Sequence, residues 1–366
     1  ATARHTPSAS KRLSCATLLV GETREHLLSL KAQVKSVLSP MVRAAWPVVE
    51  TMGELGARAT RRSANARWST GWTPEFDAAL ETLPPLPDCP HDLYRELLKP
   101  TRGQKKHALV LENGKPSALL SLRHCARHWE PVVYQCMPFA IAPALDKAAL
   151  SRALHALGME VRVPAGMGEE VSQLQPSDCW SYAWHKIDVQ DDYEAHWRAK
   201  KRQYTVRRAR KETAHMQRRV GGAGDLEWIV EQWRDQWKDD PGQEVVAADD
   251  RLNFWSAIAQ RGETSALKVH TLMLADGERR VSGLVVTSKG DTAMIQCGGR
   301  DPDFEHAYAA AAVQIFAAEW AKTAGFRVLD IAGGPYKRLW GPEGGLRYGA
   351  VFRPRVMSAL SWACTY

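Results

Sequence analysis

One stretch of the chain, residues 266–355, restricts its fold more than any other. Three apolar runs follow one another there, separated by Asp276–Gly277 and Lys289–Gly290. Such dipeptides favour tight turns between antiparallel strands, because glycine accepts the positive φ that these turns require. An alanine-rich segment over 307–325 and an apolar run over 326–331 come next and indicate a helix and a buried strand. We therefore predict an α/β (α+β) fold, in which helices flank a mixed β-sheet.

The first half of the chain repeats this outline without repeating the sequence. Asn113–Gly114 is a strong hairpin signal between two apolar runs, and a strand over 132–139, a helix over 144–157 and a closing strand over 182–188 follow. We predict two tandem units with a helical segment before them. The predicted divisions are a helical extension with a basic connector over residues 1–75, a first unit over 76–190 and a second unit over 191–366.

Charge and cysteine content limit the class of partner and the compartment. The formal net charge of +8 favours an anionic partner: CoA, nucleic acid, a phosphorylated sugar or an anionic lipid. The seven cysteines are scattered, with no Cys-x-x-Cys pair, which predicts reduced thiols in a cytoplasmic protein and no metal site. No apolar run reaches about 18 residues, so we expect no membrane-spanning helix. A position at the inner face of a membrane stays open.

A basic run over residues 198–211 interrupts the α/β pattern. It contains eight Lys and Arg residues and no acid. Helical spacing would place Lys200, Arg207 and Lys211 on one face. The run is either a binding surface for ligand phosphates or a solvated helix, and the sequence does not decide between them. The residues singled out for phosphate binding are Arg207, Arg208, Arg210 and Lys211.

The end of the second unit joins a buried strand to a polar turn. Asp330 lies in the strand, Gly333–Pro335 form the turn, and Tyr336 and Lys337 follow, with Trp340 close behind. A side chain at a sharp turn after a buried strand can reach a reacting carbonyl. The alternative is a turn whose tyrosine and lysine face water.

Three features of the second unit together resemble the GNAT acyltransferase superfamily. They are the basic run with a tryptophan-rich helix behind it, the paired strands that lead to Cys297 and a long helix, and the turn from Asp330 to Lys337. Residues 195–355 are similar, more narrowly, to the CelD/BcsL-type acetyltransferase domain. That domain is a relative of the FemAB aminoacyl transferases, which carry two tandem GNAT-like folds. The resemblance implies tandem GNAT-like mixed sheets flanked by helices, with the first unit, 92–190, matching only in outline.

The resemblance also implies an activity. It suggests transfer of an acyl group from acyl-CoA, or from an acyl carrier protein, to an amine or hydroxyl. The implied acceptor is a sugar, a lipid or an envelope-polysaccharide precursor, and no metal is required. Backbone N–H groups of residues 295–299 would bind the oxyanion of the tetrahedral intermediate. The residues implied for the donor site are Cys297, Gly298, Gly299, Arg300, Ala309 and Ala310.

Four residues are candidates for the chemistry itself. We expect Lys337 to stabilise the oxyanion or the leaving group, and Tyr336 to protonate the leaving group. Asp330 is either a general base or a residue that binds the backbone of the turn. His306 is either a base near the donor or a helix-capping residue. Cys297 would need an activating base for a covalent role, and the sequence fixes none.

The sequence departs from the family pattern at the start of the long helix. GNAT enzymes commonly bind the CoA pyrophosphate at a glycine-rich loop there, whereas this helix opens with residues 306–312, which contain no glycine. The N–H groups of a helix N-terminus still bind anions. Two alternatives therefore remain: a FemAB-like transferase that uses aminoacyl-tRNA, and a GNAT-fold binding protein without catalysis.

Overall fold

The computed structural model describes most of the chain after residue 65. The described residues are 66–85, 90–98, 104–125, 128–132, 139–141, 151, 154–155, 160–163, 175–238, 248–304 and 308–353. The helices predicted near the N-terminus and most of the one predicted over 144–157 lie outside these ranges. None of the described helices is long and apolar enough to cross a membrane.

Strands and helices alternate along the described residues. The strands are β1 (Ala66–Ser69), β2 (Lys105–Glu112), β3 (Lys115–Cys125), β4 (His128–Pro131), β5 (Phe139–Ile141), β6 (Glu160–Val163), β7 (Asp178–Asp188), β8 (Gln217–Gly221), β9 (Lys268–Asp276), β10 (Arg279–Lys289), β11 (Thr292–Arg300), β12 (Val328–Gly333) and β13 (Glu343–Phe352). The α-helices are α1 (Pro74–Thr82), α2 (His91–Leu98), α3 (Tyr193–Ala199), α4 (Gln203–Glu212), α5 (Ala223–Trp237), α6 (Ala248–Arg261) and α7 (Ala309–Thr323).

These described strands join in one mixed sheet. The order is β1-β2-β3-β4-β6-β13-β7-β12-β11-β10-β9-β8, and β5 pairs with β3. The pairs β4–β6 and β11–β12 are parallel, and the other pairs are antiparallel. The α/β (α+β) prediction is confirmed. Strand β7 lies between β12 and β13, so a strand from the first half of the chain borders the turn that carries Lys337.

Two apolar clusters cover the two faces of the sheet. Helices α1, α2, α5 and α6 pack on one face, with the buried side chains of Leu109, Met273 and Val285 among their contacts. Helices α3, α4 and α7 pack on the other face, against Leu284 and Leu329 among others. Alternate residues of a strand point to opposite faces, which explains why neighbouring strand residues belong to different clusters.

The tight turns between strands lie where the glycine-containing dipeptides predict them. The hairpin between β2 and β3 turns at Asn113 and Gly114, with φ values of 51° and 76°. Gly277 and Gly290, both with φ of 57°, form the turns on either side of β10. The three predicted hairpin turns are therefore confirmed, because each is specified by residues that accept positive φ.

One local prediction was wrong. The basic run is not one helix, because the chain breaks between α3 and α4, where Lys201 has φ of 55°. Strand β11 continues through residues 298–300. Gly299 is needed there for packing: a Cβ at this position would lie 2.7 Å from the carbonyl oxygen of Ile229 in α5. The short strand β8 carried no clear apolar signal and was missed.

Candidate active site

Strands β11 and β12 part at their carboxyl ends. They are parallel neighbours whose paired positions are Thr292–Met294 with Val328–Asp330. Both strands continue further, β11 to Arg300 and β12 to Gly333, so a gap opens between them. Ligands of open α/β sheets bind at the carboxyl ends of strands, where such gaps occur.

A bulge in β11 lies at the start of this gap. Gln296 is an extra residue between Ile295 and Cys297 in the register with β10, and its side-chain amide donates to the hydroxyl of Thr287 at 2.6 Å. A bulge changes the direction of the side chains that follow it. Accordingly, Ile295 packs with α7, whereas Cys297 packs on the opposite face with α5 and α6.

The turn after β12 is held by its own aspartate. Asp330 is buried, and its Oδ1 accepts a hydrogen bond from the backbone N–H of Ala332 at 2.7 Å. Ala332 has φ of 63°, and Gly334 has φ of 122°. A residue with a side chain seldom adopts a positive φ, so the contact with Asp330 helps to hold Ala332 in a strained conformation.

The second carboxylate oxygen of Asp330 is bound by a residue on β13. Oδ2 accepts a short hydrogen bond from Nη2 of Arg347, and the Arg347 guanidinium lies 5.0 Å from the centre of the Trp184 ring. The Trp184 ring lies against Gly344, where a Cβ would approach it to 2.7 Å. Burial raises the pKa of Asp330, and the charge of Arg347 opposes this shift.

Lys337 is buried beside this pair but is not part of it. It begins the 3₁₀ turn Lys337–Leu339, and only 6% of its surface is exposed. No hydrogen bond or ion pair among the described residues reaches its ammonium, whose Nζ lies 5.0 Å from the centre of the Tyr336 ring. Burial lowers the pKa of Lys337 to about 8, against the opposing charge of Asp330. Tyr336 itself is 60% exposed.

The N-terminus of α7 faces the basic helix α4. Tyr308 is the N-cap residue and makes no capping hydrogen bond with its side chain. Ala309 is buried and Ala310 is exposed. The Arg208 guanidinium lies 5.8 Å from the centre of the Tyr308 ring and pairs with Glu212. A cation and the first turn of a helix are therefore close together.

A shallow pocket of about 290 Å³ lies between α3 and α4. Arg207 and Arg210 line it, with Trp197 and Gln203 among their neighbours. Arg210 is committed to two carboxylates, Glu194 at 2.7 Å and Glu319 at 2.9 Å. Arg207 is exposed and makes no ion pair with any described residue. Lys211 is exposed as well.

The remaining predicted site residues do not lie together in one place. Cys297 is buried, and burial raises the pKa of its thiol to about 12, so the thiol stays neutral. Gly298 and Gly299 lie within β11, and Arg300 is exposed at its end. His306 lies outside the described residues. The structure thus brings Asp330, Tyr336 and Lys337 together, and Arg208 with Ala309 and Ala310, while Arg207 and Arg210 line a separate pocket.

Two residues of this region escaped the sequence reading. Arg347 is 17 positions from Asp330 and lies in a strand with no charge pattern to mark it. His185 on β7 is buried, and its Nδ1 has no hydrogen-bond partner among the described residues. It lies where both neighbouring strands are irregular, since the register shifts between Asp330 and Gly333 on one side and next to Glu343 on the other. No sequence signal identifies such a position without the strand order.

Comparison with known proteins identifies the class of this region. Residues 200–338 match the family model described as an acetyltransferase (GNAT) domain. No curated protein matches the sequence. This match confirms the resemblance to the GNAT superfamily for residues 200–338.

Several solved structures are similar in outline. L-PGS from Bacillus licheniformis matches with 12% identity over 80% of this chain and 98% of that one, with a TM-score of 0.44. A tandem GNAT protein from the clavulanic acid biosynthesis pathway matches with 10% identity over 78% and 98%, with a TM-score of 0.43. FemX matches with 10% identity over 77% and 96%, with a TM-score of 0.39.

Proposed function

We propose that the protein transfers an acyl group from acyl-CoA, or from an acyl carrier protein, to an amine or hydroxyl. The proposed acceptor is a sugar, a lipid or an envelope-polysaccharide precursor. The observation that supports the proposal is the buried side chain of Lys337, in the turn after β12, whose ammonium makes no hydrogen bond or ion pair with a described residue. A buried cation without a partner is costly unless a negative charge arrives during function.

The proposed chemistry uses the ammonium as an electrostatic group. Attack of the acceptor on a thioester carbonyl places negative charge on the carbonyl oxygen, and a preorganised cation stabilises that charge. Lys337 fills this role in the proposal, together with backbone N–H groups of residues 295–299. Tyr336 gives its proton to the departing thiolate, the acceptor loses its own proton to solvent, and Tyr336 is reprotonated from solvent. Asp330 holds the turn rather than acting as a base, since both of its oxygens already accept hydrogen bonds.

The proposed donor site extends from the gap to the N-terminus of α7. The exposed position of Ala310 in the first turn of α7 and the guanidinium of Arg208 favour a phosphate-bearing donor. In this proposal, residues 191–366 carry the reaction, and the preceding unit, 76–190, helps to hold the acceptor. No group of three described His, Cys, Asp or Glu side chains is placed to hold a metal ion.

A second candidate is a transferase that takes its acyl group from aminoacyl-tRNA. The exposed cations Lys200, Arg207 and Lys211 on and before α4 favour it, because unpaired surface cations bind polyanions. The same cations would also suit an anionic membrane surface, which is the setting proposed for a lipid acceptor at the inner face of the membrane.

Thermal-shift titration with acetyl-CoA, a long-chain acyl-CoA and bulk tRNA separates the candidates, because a ligand that binds the native state raises Tm. Stabilisation by an acyl-CoA, with thiol release when amines or hydroxyl compounds are added, supports the main proposal. Stabilisation by tRNA alone contradicts it and favours the second candidate. No stabilisation by any of the three indicates a GNAT fold without donor binding.

A further inference from the structure

The Asp330 carboxylate is fully occupied, although a lysine is buried beside it. One oxygen accepts from the backbone of Ala332 and the other from Arg347. Lys337, in the turn that follows β12, is a second buried cation close enough for the charge of Asp330 to act on its pKa. A carboxylate and an ammonium buried together normally form an ion pair, since separating them leaves two desolvated charges.

We propose that Arg347 is a positioning residue that occupies Asp330 and thereby leaves the Lys337 ammonium free for the substrate oxygen. This inference rests on the proposed function of Lys337. Arg347 itself is held by stacking on Trp184, and the Trp184 ring in turn lies against Gly344. The guanidinium therefore has a fixed place from which to bind the carboxylate, as planar arginine forks do.

The charged and titratable groups around Lys337 support the proposal that Arg347 binds Asp330 and that Lys337 does not. From β12 it faces Asp330, and from its own turn it faces Tyr336. On β7, Lys186 lies opposite Asp330 in the register, but its ammonium is 3.0 Å from Asp188 and is thus committed elsewhere. Arg347 is the described residue whose cation is paired directly with the Asp330 side chain.

The test begins with Arg347→Met, which removes the charge but retains an unbranched side chain against Trp184. We expect Asp330 to capture Lys337 in this variant. The plateau of kcat should then fall on the order of 10–100-fold, with a smaller change in the KM of the acyl donor. The alkaline limb of the pH profile should move upward by about one unit or more, because a new ion pair raises the pKa of Lys337.

The matched control is a second substitution at the carboxylate. Asp330→Asn keeps an oxygen for the N–H of Ala332 but removes the charge that would capture Lys337. The double variant Asp330→Asn/Arg347→Met should therefore recover most of the lost kcat, and its alkaline limb should return toward the wild-type position. Arg347→Lys keeps a cation at the site and should retain more activity than Arg347→Met.

Titration of Lys337 by NMR, in protein with isotopically labelled methylated lysines, provides a readout independent of turnover. The Lys337 signal is assigned by its loss in Lys337→Ala. An upward shift of its titration in Arg347→Met, reversed in the double variant, supports the positioning role even if no acyl transfer is detected and the proposed function fails. Loss of activity with an unchanged Lys337 titration, or a double variant no better than Arg347→Met, overturns the inference. If Arg347→Met does not fold, Arg347→Gln, which also removes the charge, takes its place in the same titration, and an unchanged Lys337 titration in that variant overturns the inference as well.

Discussion

Two clusters of buried charge in this molecule are built differently. The first links β2, β3 and β4 to helix α6. Its Arg123 guanidinium is 3.0 Å from Asp250 and 3.7 Å from Glu130, and the Lys105 ammonium is 2.9 Å from Asp250. Two cations thus face two carboxylates, and each charge has an opposite charge within reach.

The second cluster, at the turn after β12, has an excess of positive charge. Arg347 forms an ion pair with the carboxylate of Asp330. The charge of Asp330 also acts on Lys337, but among the described residues the Lys337 ammonium makes no ion pair. Burying an ion costs several kcal/mol unless a partner compensates it. The balanced cluster is therefore expected to serve folding, whereas under the proposed function the ammonium of the second cluster stabilises a charge that develops during the reaction.

The largest effect should come from unbalancing the first cluster. Asp250→Ala removes the carboxylate that pairs with both Arg123 and Lys105. We expect a loss of about 3–5 kcal/mol in the free energy of unfolding, measured by urea denaturation. The control is Asp291→Ala, which breaks an exposed pair with Arg327 and should change stability little. Equal effects at the two sites would remove the distinction between buried and exposed pairs.

In the second cluster, removal of a charge should lower activity without lowering stability. Lys337→Met replaces the buried ammonium with an apolar chain of similar length. Turnover should fall about 10²–10³-fold. Stability should hold or rise by on the order of 1–3 kcal/mol, because the cost of burying an unpaired charge disappears. Lys322→Met, at an exposed position on α7, is the control for both measurements. A Lys337→Met protein that keeps full turnover would remove Lys337 from the mechanism.

The contrast between the clusters also shows what sequence could and could not provide. Asn113–Gly114 and Gly277 specify their turns through residues that are neighbours in the chain, so those turns were predictable. The strand-turn from Asp330 to Lys337 was recognised for the same reason. The partnership of Asp330 with Arg347 was not, because it depends on β7 lying between β12 and β13. Long-range strand order decides which charges meet, and one sequence does not reveal it.

The pH dependence of stability provides a further test of the buried Lys337 in the second cluster. The folded-state pKa of Lys337 is lowered from 10.5 to about 8, so the unfolded chain binds this proton more tightly than the folded one. The contribution of Lys337 to stability therefore rises with pH between about 8 and 10.5. Activity that requires the ammonium should fall over the same interval. The difference in unfolding free energy between wild type and Lys337→Met, measured at pH 7 and pH 10, isolates this contribution. A difference that does not shrink with rising pH would contradict the buried, unpaired state of Lys337.

The smallest effect should come from a cation that is neither buried nor paired. Arg207 is exposed beside the pocket between α3 and α4. Arg207→Ala should leave stability unchanged, because no described contact is lost. If a phosphate-bearing substrate binds there, its KM should rise about two- to fivefold, and the difference should vanish in high salt, where exposed charges are screened. Arg327→Ala is the control, since it removes an exposed cation at the far end of β12 and leaves the pocket intact. A KM that rises equally in both variants would show a general effect of net charge. A larger rise in Arg207→Ala than in Arg327→Ala would support substrate binding at the pocket.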